Sequence, residues 1–163
     1  MRIKLLLMLA IISVLASCKK SDTQPSCELS KAVAPAAEID SVKKYLANNS
    51  ITATQHPSGV FYVITNPGSG AVVPTGCTAV TVKYDGKLTN GNAFDNSSPN
   101  YPNGIVFRLG NLISGWQIGI PLIKKGGSIT LYLPPSLGYG GSSSATIPAN
   151  SILIFNIELV NVQ

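Results

Sequence analysis

The sequence has little histidine and few carboxylates, and these absences argue against most catalytic centres. His56 is the one histidine and no G-x-S-x-G motif is present, so a Ser-His-Asp hydrolase is disfavoured. Beyond residue 50 the carboxylates are limited to Asp85, Asp95 and Glu158, and Glu158 is predicted to face away from the core. A paired-carboxylate glycosidase is therefore poorly supported. One histidine and three separated cysteines form no zinc pattern, and we expect neither a metal nor a cofactor.

Charged residues of both signs are also scarce, at 12 % of the chain. Lys19-Lys20 and Lys124-Lys125 are isolated pairs, and no basic stripe is interleaved with aromatic residues. We therefore do not expect nucleic acid to be a partner. Hydrophobic residues, at 45 %, are sufficient for the core of one domain, while 15 glycines and 11 prolines favour short strands over a helical bundle.

The amino terminus has the pattern of a secretory leader. Arg2 and Lys4 precede an apolar run over residues 5–16, which is shorter than the roughly 20 residues that cross a bilayer. The run ends in Leu-Ala-Ser-Cys18 and resembles the bacterial lipobox, in which the cysteine receives a diacylglycerol. Residues 1–17 are thus predicted to be a lipoprotein signal peptide, with an ordinary cleaved leader as the alternative. We expect an exported protein that is anchored to an envelope membrane through Cys18 without spanning it.

Two cysteines remain once Cys18 is assigned to lipid. An exported protein lies where disulfides persist, so one bridge between Cys27 and Cys77 is arithmetically possible. The sequence leaves this pairing open.

Composition divides the rest of the chain into three parts. Residues 18–35 are rich in Ser, Pro, Thr and Ala and predict a flexible tether. Residues 36–50 predict an amphipathic helix, because Ile39, Val42 and Leu46 recur at helical spacing. Residues 51–163 predict the folded domain.

The pattern of the folded domain is that of β-structure. Alternating apolar residues and Gly/Asn turns predict an α+β fold, in which a five- to six-stranded antiparallel sheet wraps around one short helix and an amphipathic helix precedes it. The strands are predicted near residues 60–65, 78–88, 105–109, 128–133 and 151–162.

The short helix carries Trp116, the one tryptophan of the chain. Ser114 and Gln117 have the S-x-x-Q spacing of a capping box, and Pro121 is predicted to end the helix near residues 119–120. The indole could form the floor of an apolar pocket or plug the core. From this stretch alone both interpretations stay open.

Motifs along the domain, taken in order and spacing, resemble the FKBP-type peptidyl-prolyl cis-trans isomerases between about residues 58 and 162. They are Val82-Lys83-Tyr84-Asp85-Gly86, Phe94-Asp95, Phe107-x-Leu109-Gly110, Ile113-x-Gly115-Trp116-x-x-Gly119, Leu137-Gly138-Tyr139-Gly140, Ile147-Pro148 and Leu153-x-Phe155-x-Ile157-Glu158-Leu159.

The resemblance implies a set of site residues. Asp95, Tyr139, Phe94 and Trp116 would be catalytic, with Trp116 beneath the proline ring and Asp95 paired with the hydroxyl of Tyr84. The backbone N–H of Ile113 and the Tyr139 hydroxyl would donate to substrate carbonyls. From the residues alone, Asp95 could equally be a turn-capping carboxylate. The substrate-binding set would be Tyr84, Leu112, Ile113, Ile147, Phe155 and Ile105.

Ile105 departs from the family pattern, which often has an aromatic residue there. The resemblance implies an isomerase that acts on proline-containing unfolded or nascent exported polypeptides, with macrolide inhibitors of the family as further ligands and with weaker macrolide binding because of Ile105. Two alternatives remain. One is a non-catalytic chaperone module that binds proline-containing segments, and the other is a structural envelope lipoprotein.

Overall fold

The computed structural model describes residues 27–98 and 100–163. The predicted signal peptide, the lipidation site at Cys18 and the first part of the predicted tether lie outside the described residues. No helix within these two ranges is both long enough and apolar enough to cross a membrane.

The described residues form one antiparallel sheet of seven strands and two α-helices. The elements are α1 (Ala36–Asn48), β1 (Thr54–Gln55), β2 (Phe61–Asn66), β3 (Ala79–Leu88), β4 (Ala93–Asn96), β5 (Ile105–Arg108), α2 (Ser114–Gly119), β6 (Ser128–Leu133) and β7 (Leu153–Val162). The strand order is β1-β2-β6-β7-β3-β4, and β5 also pairs with β3. The predicted fold class is confirmed. The strands β1 and β4 were not among those predicted, because their two and four residues are too few to show a clear alternation.

The core lies between the sheet and α2. Strand β7 alternates buried and exposed residues along most of its length, as a strand with one wet face does. Its inward residues meet those of β6 and the helix residues Trp116 and Ile118. The inward residues of the two strands are Leu153, Phe155, Ile157 and Leu159 on β7 and Ile129, Leu131 and Leu133 on β6.

Two glycines allow α2 to lie close against β6. A Cβ atom at Gly115 would fall 2.5 Å from the Cδ1 atom of Leu133, and one at Gly119 would fall 2.6 Å from Cδ1 of Leu131. Both leucines are fully buried and have no room to move aside. Because the glycines stand four residues apart, they form one flat face of the helix and fix the height of Trp116 above the sheet.

Helix α1 covers a second cluster outside this core. Val42 and Leu46 are buried against Phe61 of β2 and Tyr132 of β6, which pair directly across the sheet. The predicted amphipathic face is confirmed, and the helix ends at Asn48, two residues before the predicted boundary.

The prediction of a flexible tether is wrong for its last part, residues 27–35. Cys27 and Cys77 form a disulfide, and Gly76 N–H donates to the Cys27 carbonyl over 2.9 Å. Ala34 is buried, and its N–H donates to the Ser58 carbonyl over 2.9 Å. Polar composition predicted a free segment, but the disulfide and these hydrogen bonds hold it on the domain.

Candidate active site

A cavity of about 170 Å³ lies between the sheet and α2. Its volume is below the roughly 300–1,000 Å³ of pockets that take drug-sized ligands, so it suits a single ring or side chain. Seven of the residues predicted for the site line it, together with Phe107. The lining residues are Tyr84, Asp95, Phe107, Leu112, Ile113, Trp116, Tyr139 and Phe155.

Three aromatic rings meet the indole of Trp116 nearly edge-on. The centroid distances to Trp116 are 5.0 Å for Tyr84, 5.2 Å for Phe155 and 6.3 Å for Phe107, with interplanar angles of 81°, 90° and 86°. Edge-to-face contact at these distances is a favoured arrangement of aromatic rings. The structure therefore combines the two interpretations of Trp116, because the residue belongs to the core and its side chain also lines the cavity.

The indole N–H of Trp116 is buried and has no acceptor among the residues that the structure describes. An unpaired buried donor costs about 1–3 kcal/mol. Core packing alone would favour a side chain without a polar hydrogen at this position. The tryptophan therefore indicates that this position serves a purpose other than core packing.

Phe94 supports the cavity without lining it. Its ring lies edge-on against Phe155, with centroids 5.4 Å apart and an interplanar angle of 88°. Gly86 on β3 makes this pairing possible, because a Cβ atom there would fall 2.7 Å from the Phe94 ring and 2.9 Å from Phe155. Phe94 thus fixes the position of Phe155, which does line the cavity.

Ile105 and Ile147 lie outside this cavity. Ile105 is half-buried and pairs with Val82 in the β3–β5 register. Ile147 lines a neighbouring cavity of about 350 Å³ that shares Tyr139 with the first.

Phe107, two residues after Ile105 on β5, provides the aromatic wall from that strand. It was not among the predicted site residues, although it stands in a quoted motif and shares its strand face with Ile105.

The Tyr84 hydroxyl donates a hydrogen bond to Oδ2 of Asp95 over 2.8 Å, which is the expected pairing. Desolvation of the phenol and the bond to Asp95 raise the pKa of Tyr84 well above its usual value. Tyr84 therefore stays protonated at neutral pH and continues to donate, which orients the carboxylate at the edge of the cavity.

Ser97 forms hydrogen bonds with the backbone of Tyr84. It was not among the site residues predicted from the sequence. Its hydroxyl accepts from Tyr84 N–H over 2.9 Å, and its own N–H donates to the Tyr84 carbonyl over 3.0 Å. A serine in a polar loop gives no signal of this contact, which depends on how the loop returns to β3.

Two hydrogen-bond donors of the site are free. Neither the Ile113 N–H nor the Tyr139 hydroxyl has an acceptor among the described residues. Tyr139 is 44 % exposed, and burial together with the nearby Asp95 charge raises the pKa of its phenol. Both groups can therefore donate to a bound peptide at neutral pH.

The capping box predicted for α2 is wrong. Ile113, not Ser114, occupies the N-cap position, and no side chain caps the helix. Ser114 instead accepts from the hydroxyl of Ser30 over 3.0 Å, and Gln117 bonds carbonyls of the preceding loop. Ser30, 84 residues away, supplies the partner that the local pattern could not show. The predicted end of the helix at residues 119–120 is confirmed.

In the described part of the chain, no three His, Cys, Asp or Glu side chains are grouped as metal ligands would be. The antiparallel sheet wraps around a short helix, and the aromatic cavity between them has the size of a small apolar group and free donors among its lining residues. The family model of FKBP-type peptidyl-prolyl cis-trans isomerases matches residues 71–160, and the chain belongs to this family.

Curated relatives agree with the family. The chain is 44 % identical over 124 residues to the FKBP-type peptidyl-prolyl cis-trans isomerase FkpA of Buchnera aphidicola (subsp. Schizaphis graminum), covering 75 % of this chain and 47 % of that protein. It is 42 % identical over 108 residues to FkpA of Escherichia coli K12, covering 65 % of this chain and 38 % of that protein. The chain spans about half the length of these relatives or less.

Solved structures agree with the fold. The crystal structure of FkpA from Escherichia coli matches with a TM-score of 0.69 and 35 % identity, covering 78 % of this chain and 60 % of that one. The peptidyl-prolyl cis-trans isomerase of Pseudomonas syringae pv. tomato matches with a TM-score of 0.66 and 28 % identity, covering 80 % of this chain and 97 % of that one.

Proposed function

We propose that this chain is a peptidyl-prolyl cis-trans isomerase that accelerates X–Pro bond rotation during the folding of exported or envelope proteins. One observation carries the proposal. A ring-sized cavity is lined by Trp116 and three aromatic rings, and two unpaired donors belong to residues that line it.

The reaction suits a site without a nucleophile. Rotation about a peptide bond meets a barrier of about 18–20 kcal/mol, and an X–Pro bond exchanges uncatalysed over tens to hundreds of seconds. No bond is broken and no proton is transferred. The protein has only to bind the twisted amide more tightly than the planar one.

An apolar cavity provides that difference. In the planar amide, resonance places charge on the carbonyl oxygen, which water stabilises. The twisted amide loses this resonance, so replacing water with the rings around Trp116 disfavours the planar form more than the twisted one.

The polar groups of the site then hold the substrate. In this proposal the Ile113 N–H and the Tyr139 hydroxyl donate to carbonyls on either side of the proline, and the Asp95 carboxylate, oriented by Tyr84, lies beside the rotating amide. Donors that are already in place contribute without reorganising during the reaction.

We further propose that the protein is exported and anchored by a lipid at Cys18. The lipobox-like leader supports this, and the Cys27–Cys77 disulfide supports an oxidising compartment. Bacteria that express the full chain and are fed radiolabelled palmitate should give a labelled product, and Cys18→Ala should abolish the label. A label that persists in Cys18→Ala would contradict the anchor.

The role of the cavity is tested in the refolding of a protein whose slow phase is limited by X–Pro isomerisation. The wild-type chain should accelerate that phase, and Trp116→Leu should lower the acceleration about tenfold or more, because the ring contacts are lost. Tyr101→Leu, which removes an exposed aromatic outside the cavity, is the matched control and should keep wild-type activity. Equal activity of Trp116→Leu and the wild type would contradict the proposed site.

A further inference from the structure

The peptide unit between Leu112 and Ile113 is held from its carbonyl side. Nε2 of Gln117 donates to the Leu112 carbonyl over 2.7 Å and to the Gly110 carbonyl over 3.2 Å. In a planar trans peptide, the carbonyl of Leu112 and the N–H of Ile113 point in opposite directions. A contact that fixes the carbonyl therefore fixes the direction of the N–H.

We propose that Gln117 is a positioning residue that aims the Ile113 N–H at the substrate carbonyl. This inference rests on the proposed function, in which that N–H binds substrate. Gln117 does not line the cavity and acts only through the peptide unit. A hydrogen bond accepted by the carbonyl also polarises the N–H of the same unit, which strengthens its next bond.

The amino-terminal segment sets the orientation of the Gln117 amide. The Ser30 N–H donates to Oε1 of Gln117 over 2.8 Å. A backbone N–H can only donate, so the oxygen of the amide faces Ser30 and its nitrogen faces the two carbonyls. Ser30 also donates through its hydroxyl to Ser114.

The disulfide holds that segment beside the same loop. Cys27 is bonded to Cys77, the Gly76 N–H donates to the Cys27 carbonyl over 2.9 Å, and the Gly110 N–H donates to the Gly76 carbonyl over 3.0 Å. The loop before α2 is thus supported at Gly110 and, through Gln117, at Leu112. Cys27 and Ser30 therefore help to support the site, although they precede the domain predicted from the sequence, residues 51–163.

Gln117→Met tests the role of Gln117, because it keeps the length of the side chain and removes both hydrogen-bonding ends. If the Ile113 N–H binds planar and twisted substrate alike, the variant should raise KM about three- to tenfold and leave kcat nearly unchanged. Ser114→Ala, which loses the Ser30 hydroxyl bond but keeps the bond from Ser30 N–H to Gln117, is the matched control and should show the wild-type KM. A wild-type KM in folded Gln117→Met would overturn the inference.

NMR separates this inference from the proposed function. The ¹⁵N shift of the Ile113 amide in the peptide-free full chain reports the hydrogen bond at the Leu112 carbonyl. The Ile113 ¹⁵N shift should differ from the wild-type value in Gln117→Met and equal it in Ser114→Ala. Both results are expected whether or not the wild type isomerises the peptide Ala-Ala-Pro-Phe. An unchanged Ile113 shift in the folded variant would overturn the positioning role alone, and an inactive wild type would overturn the function alone. If Gln117→Met does not fold, Gln117→Glu, which keeps a polar side chain but has no donor, takes its place.

Discussion

The hydroxyl of Tyr84 and the carboxylate of Asp95 are joined by a 2.8 Å hydrogen bond between adjacent strands β3 and β4. Tyr84 also meets Trp116 edge-on, with centroids 5.0 Å apart. One side chain thus contacts both the aromatic and the charged part of the site. The two parts are therefore expected to respond together when Tyr84 is changed.

Tyr84→Phe should keep the ring contact with Trp116 and release Asp95. We expect kcat/KM for an X–Pro peptide to fall about three- to tenfold, which corresponds to the loss of one hydrogen bond. A protease-coupled isomerase assay measures the change. Tyr62→Phe, on strand β2 and outside the cavity, is the control. Equal losses in the two variants would show that the Tyr84–Asp95 pair has no particular role.

The raised pKa of Tyr84 predicts a loss of stability in alkali. The pKa of the folded state lies above that of an unfolded tyrosine, about 10, so the unfolded chain releases its proton first as the pH rises. The stabilising contribution is complete below pH ~10 and declines as the pH rises towards the folded-state pKa. Urea unfolding at a series of pH values should show a shallower decline for Tyr84→Phe than for the wild type, and parallel curves would contradict the burial of the phenol.

Gly115→Ala should destabilise the fold although alanine favours helices. The gain in helix propensity is about 1 kcal/mol, whereas overpacking against buried Leu133 costs about 1–3 kcal/mol. We expect a net loss of up to about 2 kcal/mol in the free energy of unfolding. Gly141→Ala, where a Cβ atom would meet nothing within 4 Å, is the control. A gain of stability in Gly115→Ala would show that α2 does not lie as close to β6 as described.

Removal of the Cys27–Cys77 disulfide should destabilise the protein. The bridge spans 50 residues, and a loop of this length corresponds to about 4 kcal/mol in the chain-entropy model. Denaturation of the oxidised wild type is compared with the double variant Cys27→Ser/Cys77→Ser. The oxidised protein should lose the difference when reductant is added, whereas the variant should be unaffected. Equal stability of the two proteins would mean that the segment around Cys27 is not held on the domain.

The alternating strands of the fold were predictable because their pattern is local. Leu153, Phe155, Ile157 and Leu159 each face inward as period two requires. The amphipathic helix α1 was predictable for the same reason, since Val42 and Leu46 fall on one face. When one side of a helix or strand is buried, the spacing of its apolar residues is fixed, and the element can be predicted from the sequence.

Long-range contacts were not predictable in this way. Ser114 and Gln117 have the spacing of a capping box, but Ser30 and the loop carbonyls bond them instead. The Cys27–Cys77 pairing stayed open because spacing does not specify a partner. Most of the cavity residues were identified from the family resemblance, since alternation explains Tyr84 and Phe155 equally well as core.

Exchange NMR on the peptide Ala-Ala-Pro-Phe tests the proposed isomerase most directly, because it measures binding and cis–trans exchange in one sample. With catalytic amounts of the chain, the cis and trans proline signals should exchange in well under the tens of seconds of the free peptide. Trp116→Leu should lower that acceleration about tenfold or more, as in the refolding assay. If the peptide signals shift on binding while cis–trans exchange stays at its uncatalysed rate, the chain is a proline-binding module and not an isomerase.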